Sequence, residues 1–260
     1  MKDGNLAFDA HIHLTDNEYS GYLQYLLSTL RSLRINSCSV TVNLETCMRS
    51  LSLFNSGNKD IVTQFIGIHP EFANDDIEEF KGLLNQNELM VDGIGEVGLD
   101  PLYESKNHVL YDQQKSVFNT MLSCAEKYGK PVSIHSRNSV NEILDIISTY
   151  RLNGVLLHWF SGTSEQLKRA MDQGLYVSYG PSLVYSKVMK ESFLRADLER
   201  ILVETDGPVR YYKCFDNLIS LSSSFLISVI NSASYLLKVP FPMLAEKLLT
   251  NSKQFLGRGI

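Results

Sequence analysis

Two histidines, His11 and His13, stand two apart in FDAHIHLTD, with Asp9 ahead of them and an apolar Ile12 between. The whole chain holds only six histidines. His135 ends the run PVSIHS and His158 falls in VLLHWF, while Glu96 sits late in LMVDGIGEVGLD and Asp206 late in ILVETDG. Imidazole and carboxylate together are ligands for Zn, Mn, Fe, Co or Ni, and for Mg more weakly. If these runs are strands, residues i and i+2 point the same way. His11 and His13 then chelate one divalent ion, and Asp206 completes that first position. His135 and His158 supply a second. Glu96, with two carboxylate oxygens, bridges the pair. Two metals about 3.5–4 Å apart hold an attacking oxygen between them and stabilise a leaving or non-bridging oxygen.

Something must bring residues so far apart in sequence to one place. Short apolar runs alternate with helical patterns along the chain. The runs are LAFDAHIHL, SVTVNL, TQFIGIHP, LMVDGIGEVGLD, PVSIHS, VLLHWF, GLYVSYG and ILVETDG. Helical spacing is expected at Tyr22–Leu33, Thr46–Asn55, Asp75–Leu84 (capped by Asp75 or Asn74), Asn107–Tyr128, Val140–Thr149, Ser164–Asp172, Lys187–Leu194, Leu218–Leu237 and Pro242–Phe255. Eight βα units make a parallel sheet that closes into an α/β (β/α)8 TIM barrel, expected as one domain over 1–260. A doubly wound open sheet is the second choice, and no Gly-rich phosphate turn supports it. Strands buried on both faces should be apolar throughout. Polar side chains there are costly unless paired, yet all six candidate ligands fall at strand carboxyl ends, which in a barrel meet on one face. Any one of them alone would pass as a satisfied core group. Six in register would not.

Composition narrows the partners. With 260 residues, 44% of them hydrophobic, the chain can bury a sizeable core. A net charge of −5 gives no global basic field to attract nucleic acid or an acidic membrane. Cys38, Cys47, Cys124 and Cys214 are scattered, with no CxxC pair, and are expected to be buried thiols in a reducing, cytoplasmic setting. Asp3, Asp9, Asp16 and Glu18 break any signal-peptide pattern. Leu218–Leu237 lacks charge but carries seven serines. It is expected as an outer helix on the sheet, with no membrane span.

The motifs DAHIHL, GIHP, GEVGLD, KPVSIHSR, LLHWFSG and ETDGP resemble, in the same order, those of the TatD family of metal-dependent hydrolases in the amidohydrolase superfamily. The likeness runs from Phe8 to NSKQFL at Asn251–Leu256. It implies a (β/α)8 barrel with His11, His13 and Asp206 on one ion, His135 and His158 on the other, and Glu96 between them. It also implies a metal-dependent deoxyribonuclease or exonuclease, with DNA as substrate. There are departures. The family commonly reads GLDY where this chain has Gly98-Leu99-Asp100-Pro101, and HCFSG where it has His158-Trp159-Phe160-Ser161-Gly162. Gly207 replaces the usual Ser or Ala, and Asn138 an acidic residue. No ligand position is lost, and the changes fall in the loops that shape the pocket.

Hydrolysis of a phosphodiester is the leading chemistry. Asp206 would hold a metal and accept the proton of the attacking water. His69 and Arg137 would contact phosphate, since guanidinium suits its oxygens. A surface salt bridge serves Arg137 equally well, and His108 is assigned no role. Tyr103, Trp159, Tyr179, Tyr185, Tyr211 and Tyr212 are expected near the mouth, where bases stack or the rings simply pack. The competing readings are a same-fold hydrolase of a non-DNA ester or amide, such as an aminoacyl-tRNA-type ester, and a non-catalytic metal-binding barrel. A lysine-bridged centre is disfavoured, because no lysine ends the fourth or fifth strand.

Overall fold

Eight parallel strands pair in chain order in the computed structural model, which describes residues 4–54, 58–215 and 223–257. They are β1 (Ala7–Ile12), β2 (Ile35–Ser39), β3 (Val62–Ile66), β4 (Gly93–Gly98), β5 (Val132–His135), β6 (Val155–Leu157), β7 (Tyr176–Tyr179) and β8 (Ile201–Val203). β8 lies against β1. The ring is joined at its carboxyl end, where Asp206 N–H donates to the His11 carbonyl at 2.9 Å and His13 N–H to the Gly207 carbonyl at 2.8 Å. The chain is therefore a TIM-type barrel.

The helices are α1 (Leu23–Leu33), α2 (Leu44–Phe54), α3 (Ile77–Gln86), α4 (Leu102–Asn107), α5 (Tyr111–Tyr128), α6 (Val140–Ile147), α7 (Ser164–Asp172), α8 (Ser182–Tyr185), α9 (Lys187–Arg195), α10 (Tyr212–Phe215), α11 (Ser223–Leu237) and α12 (Phe241–Phe255). Each long helix turns one apolar stripe to the sheet. In α1 that stripe is Leu23, Leu26, Leu27 and Leu30, all buried, each contributing about 1.5–3 kcal/mol of transfer free energy. Among the described residues no single helix is long and apolar enough to cross a membrane.

Several elements differ from expectation. The second strand is INSCS, not SVTVNL. Helix α1 ends at Arg34 in the left-handed region (φ 56°), so extended chain begins at Ile35. The segment after Ser39 then reaches β4, where Thr41 N–H meets the Gly95 carbonyl at 3.2 Å and Glu96 N–H meets the Thr41 carbonyl at 2.8 Å. Nor are the strands apolar throughout. Asn36, Ser37, Ser39, Gln64, Ser133 and Ser178 are all buried.

Helix α3 is capped by Asp76, whose carboxylate accepts from Glu78 and Glu79 N–H, rather than by Asp75 or Asn74. Asp75 instead accepts from Leu44 N–H at the start of α2. The long helix expected at Asn107–Tyr128 is broken. His108 turns left-handed (φ 55°), and Val109 drops into the core before α5 begins. Of the uncharged segment, Leu218 and Leu221 lie outside the described residues, as does Asn55, the expected end of the second helix. Cys38, Cys47 and Cys124 are buried, but Cys214 is only half-buried.

Candidate metal centre

Six side chains converge at the carboxyl end of the barrel. His11 lies in β1 and His13 just beyond it, Glu96 in β4, His135 at the end of β5, His158 directly after β6, and Asp206 after β8. Ile12 between the two histidines is fully buried in the surrounding core. The His11 and His13 rings meet edge-on with centroids 5.1 Å apart, and the His11 and His158 rings stack at 3.7 Å.

Two glycines make this convergence possible. A Cβ on Gly98 would stand 2.0 Å from the His135 carbonyl oxygen, so only glycine lets β4 close on β5 there. A Cβ on Gly67 would stand 2.8 Å from the Gly95 carbonyl carbon, against the strand that carries Glu96.

Glu96 is the centre of the arrangement, and it divides its partners between two oxygens. His11 Nε2 and His13 Nε2 each lie 3.4 Å from Oε2. His158 Nε2 at 2.7 Å, His135 Nδ1 at 3.0 Å and His69 Nε2 at 3.4 Å lie on Oε1. Asp206 Oδ1 sits beside the first pair, 3.2 Å from His13 Nε2 and 3.7 Å from His11 Nε2. Potential ligand atoms lie within 4.8 Å of one another in three groups: His11–His13–Asp206, His11–Glu96–His158 and His69–Glu96–His135. The first is the trio expected from sequence. The others place His158 beside His11, and they bring His69 to ligand range of Glu96 and His135.

The electrostatics follow from burial and mutual charge. Burial would raise the Glu96 carboxyl, but the charges of His158 and His69 and bonds from His11 and His135 hold it well below the carboxylate range. Burial, then the charge of His158, lowers His11. Burial also lowers His69. For His158, burial is outweighed by Glu96 and Glu204, which lift it well above the usual histidine value. Asp206 and Glu96 lift His13 against burial, and Asp100 and Glu96 do the same for His135.

Outer partners decide which ring nitrogen faces inward. His135 Nε2 lies 3.0 Å from Asp100 Oδ2. A carboxylate can only accept, and Glu96 Oε1 lies as near Nδ1 at 3.0 Å, so in a metal-bound ring Asp100 would keep the proton on Nε2 and leave Nδ1 for the ion. His11 Nδ1 meets Ser133 Oγ at 2.9 Å, which leaves Nε2 toward the cluster. His69 Nδ1 accepts from Glu71 N–H at 3.3 Å, which puts the neutral ring's proton on Nε2. His69 is thereby set as a donor into the site.

Four carboxylate-bearing or hydroxyl supports escaped the sequence reading: Asp9, Ser133, Asp100 and Glu204. Asp9 accepts from Thr205 N–H at 2.9 Å and Thr205 Oγ1–H at 2.6 Å, tying β1 to the loop after β8. Burial pushes its carboxyl up to about 8 against those bonds. Glu204 accepts from Trp159 N–H at 2.8 Å and Ser178 Oγ–H at 2.5 Å. The spacing was a signal. Asp9 and Glu204 each stand two residues before a candidate ligand, on the same side of the extended chain. Asp100 gave no such periodic signal, since it lies past the strand end.

The cluster floors a cavity of about 820 Å³. Its wall includes His69, Tyr103, Arg137, Trp159, Arg210 and Tyr212, with Asp16, Glu18 and Glu71 near the rim. Arg137 is not a free cation. Asp100 Oδ2 holds its Nε at 2.7 Å and its Nη2 at 2.6 Å, and the guanidinium lies over the Tyr103 ring at 5.6 Å. Arg210 is paired with Glu18 at 2.7 Å. Of the aromatics expected at the mouth, Tyr179 and Tyr211 are buried instead, and Tyr185 packs under Lys213. Tyr179 belongs to β7 and Tyr211 donates to the Thr205 carbonyl at 2.9 Å, so each is spent on the scaffold.

Comparison with known proteins adds to this geometry. The family model for TatD related DNase matches residues 8–257. A 3'-5' ssDNA/RNA exonuclease TatD from Edwardsiella piscicida is 28% identical over 212 residues, covering 77% of this chain and 78% of its own. A putative deoxyribonuclease from Vairimorpha ceranae is 26% identical over 263 residues, covering 97% of this chain and 95% of its own. The crystal structure of YjjV, a TatD homolog from Escherichia coli K12, superposes with a TM-score of 0.87 at 21% identity, covering 97% of this chain and 98% of that one.

Proposed function

Since the chain belongs to the TatD related DNase family of metal-dependent hydrolases, we propose that it is a deoxyribonuclease that removes nucleotides from DNA ends with two divalent ions. The observation that carries this is the division of Glu96 between two sets of imidazoles, one on each carboxylate oxygen. The residues fit such ions. His11 Nε2 is buried and, among the described residues, makes no well-formed hydrogen bond, with only Glu96 Oε2 at 3.4 Å and Asp206 Oδ1 at 3.7 Å nearby, a costly state for a polar atom that a metal would relieve. His11, His13 and Asp206 would hold one ion, His135 and His158 the other, and Glu96 would bridge. Nitrogen-rich ligands favour Zn, Mn, Fe, Co or Ni over Mg. When bound, the ions lower the pKa of water and offset phosphate charge.

The chain's own groups do the rest. Asp206 accepts a proton from the attacking water at its carboxylate. His69 donates from Nε2 to a phosphate oxygen. Arg137, fixed by Asp100, presents its guanidinium to phosphate at the wall. The acidic rim of Asp16, Glu18 and Glu71 repels a long polyanion, so contact is confined to the last few nucleotides. That same rim favours the second reading, in which the site hydrolyses a non-DNA ester or amide.

The test is to strip the protein, reload it with Mn, Zn or Mg, and assay end-labelled single-stranded DNA beside a simple carboxylic ester. Metal-dependent shortening of the DNA, lost in Asp206→Asn, is the expected result. Ester turnover without DNA cleavage would replace the nuclease reading with the second one.

A further inference from the structure

Trp159 is the only tryptophan in the chain. It follows His158 directly, where the TatD-like motif ordinarily has cysteine. Its backbone is left-handed at φ 41°, a conformation that a bulky side chain adopts only when its surroundings enforce it. The enforcement is visible. Trp159 N–H donates to Glu204 Oε1 at 2.8 Å and to Ser178 Oγ at 3.2 Å. The turn leaves the half-buried indole packed against the core and lining the cavity wall. The next residue, Phe160, is fully buried.

The indole is also backed. Tyr211 lies behind it with ring centroids 5.5 Å apart and a tilt of 32°. Tyr211 is itself buried and anchored to the Thr205 carbonyl. A rigid, half-exposed indole with one side supported is a surface for a flat partner. The site has few free cations with which to grip a strand, since Arg137 and Arg210 are both paired. Stacking would add a sequence-tolerant source of affinity to the phosphate contacts.

We propose that Trp159 is the platform on which a base of the bound strand stacks, next to the phosphate at the metal cluster. This inference rests on the deoxyribonuclease reading and specifies how that site selects an unpaired nucleotide. A base inside a duplex offers no free face to the indole, so single-stranded ends are preferred.

The lone tryptophan reports on itself. In Asp206→Asn, expected to hold DNA without cutting it, a dye-labelled single-stranded oligonucleotide is titrated while dye anisotropy and tryptophan emission are followed together. Emission should be quenched in step with the anisotropy rise. In the otherwise native enzyme, Trp159→Ala should raise KM on single-stranded DNA by about 5- to 150-fold, with kcat changed much less and Trp159→Phe restoring most of the loss. On an oligonucleotide whose terminal residues lack bases, the alanine penalty should vanish. Binding without any change in emission, or an equal penalty on the abasic strand, would overturn the stacking role and leave the nuclease reading intact. No binding and no cleavage of DNA with any metal would overturn both.

Discussion

Removing the acceptor behind His135 should weaken metal binding in a graded order. Asp100 is fully buried, and its Oδ2 takes His135 Nε2 at 3.0 Å and Arg137 Nε at 2.7 Å. Its Oδ1 takes Leu102 N–H at 3.0 Å. Asparagine can keep its oxygen toward the two cationic partners and set its amide against Leu102 alone, so Asp100→Asn should cost only a few-fold in metal affinity. Alanine leaves room for a water to accept from Nε2. Leucine fills the space with nothing that accepts, and the ring proton is then free to move to Nδ1, the nitrogen that faces Glu96. Loss of such an outer partner costs about 10- to 100-fold in affinity, or about 1.4–2.8 kcal/mol. Asp100→Ala should fall near the lower figure and Asp100→Leu near the upper. The assay is competition against a chromophoric chelator at fixed pH, with circular dichroism to confirm that each variant is folded. Parent-like affinity in Asp100→Leu would refute the positioning argument. Asparagine as damaging as leucine would show that the charge of Asp100 matters rather than its accepting oxygen.

Three further outcomes are expected. His135→Ala combined with His158→Ala should reduce bound metal from two ions per chain to one and remove most turnover while the barrel stays folded. Elemental analysis beside a kinetic assay checks this, and full activity would end the two-ion proposal. Metal affinity should rise as pH climbs above about 6.5, because His13, His135 and His158 are lifted above that ordinary value and must lose protons to bind. The sign runs oppositely for the stripped protein. These raised histidines stabilise it fully below their unfolded values, and that contribution fades as pH climbs through their folded values. The melting-temperature gain on adding metal should therefore widen with pH. Gly98→Ala should destabilise by about 3 kcal/mol or more, because its Cβ meets backbone at 2.0 Å and its φ is +147°. An unchanged urea midpoint would contradict the close approach.

The barrel and the convergence of the six candidate ligands were legible because both leave periodic marks. Alternation put His11 and His13 on one face, and eight apolar runs between helical stripes implied a closed parallel sheet. What stayed hidden leaves no such mark. The strand INSCS buries Asn36, Ser37 and Ser39 although they are polar, so a hydrophobic scan slid along to SVTVNL. The break at His108 depends on a left-handed residue that need not be glycine. It lets Gln114 on α5 accept the Asp100 N–H at 2.9 Å, a contact no local pattern predicts. Arg137 read equally as a phosphate contact or a salt-bridge partner because Asp100, which holds it, lies on another loop.

The join between the first and last strands has a consequence for how the protein comes into being. Asp9 grips Thr205 across 196 positions of sequence, and Asp206 follows immediately. Synthesis runs from the amino end, and contacts of such long separation form late. A chain still on the ribosome with seven strands made would carry all six of its histidines but neither the ring's closure nor Asp206, the proposed acceptor of the water's proton. The proposed metal site is thus incomplete until β8 emerges and docks on β1, so the nuclease proposed for it would be assembled only by the last strand.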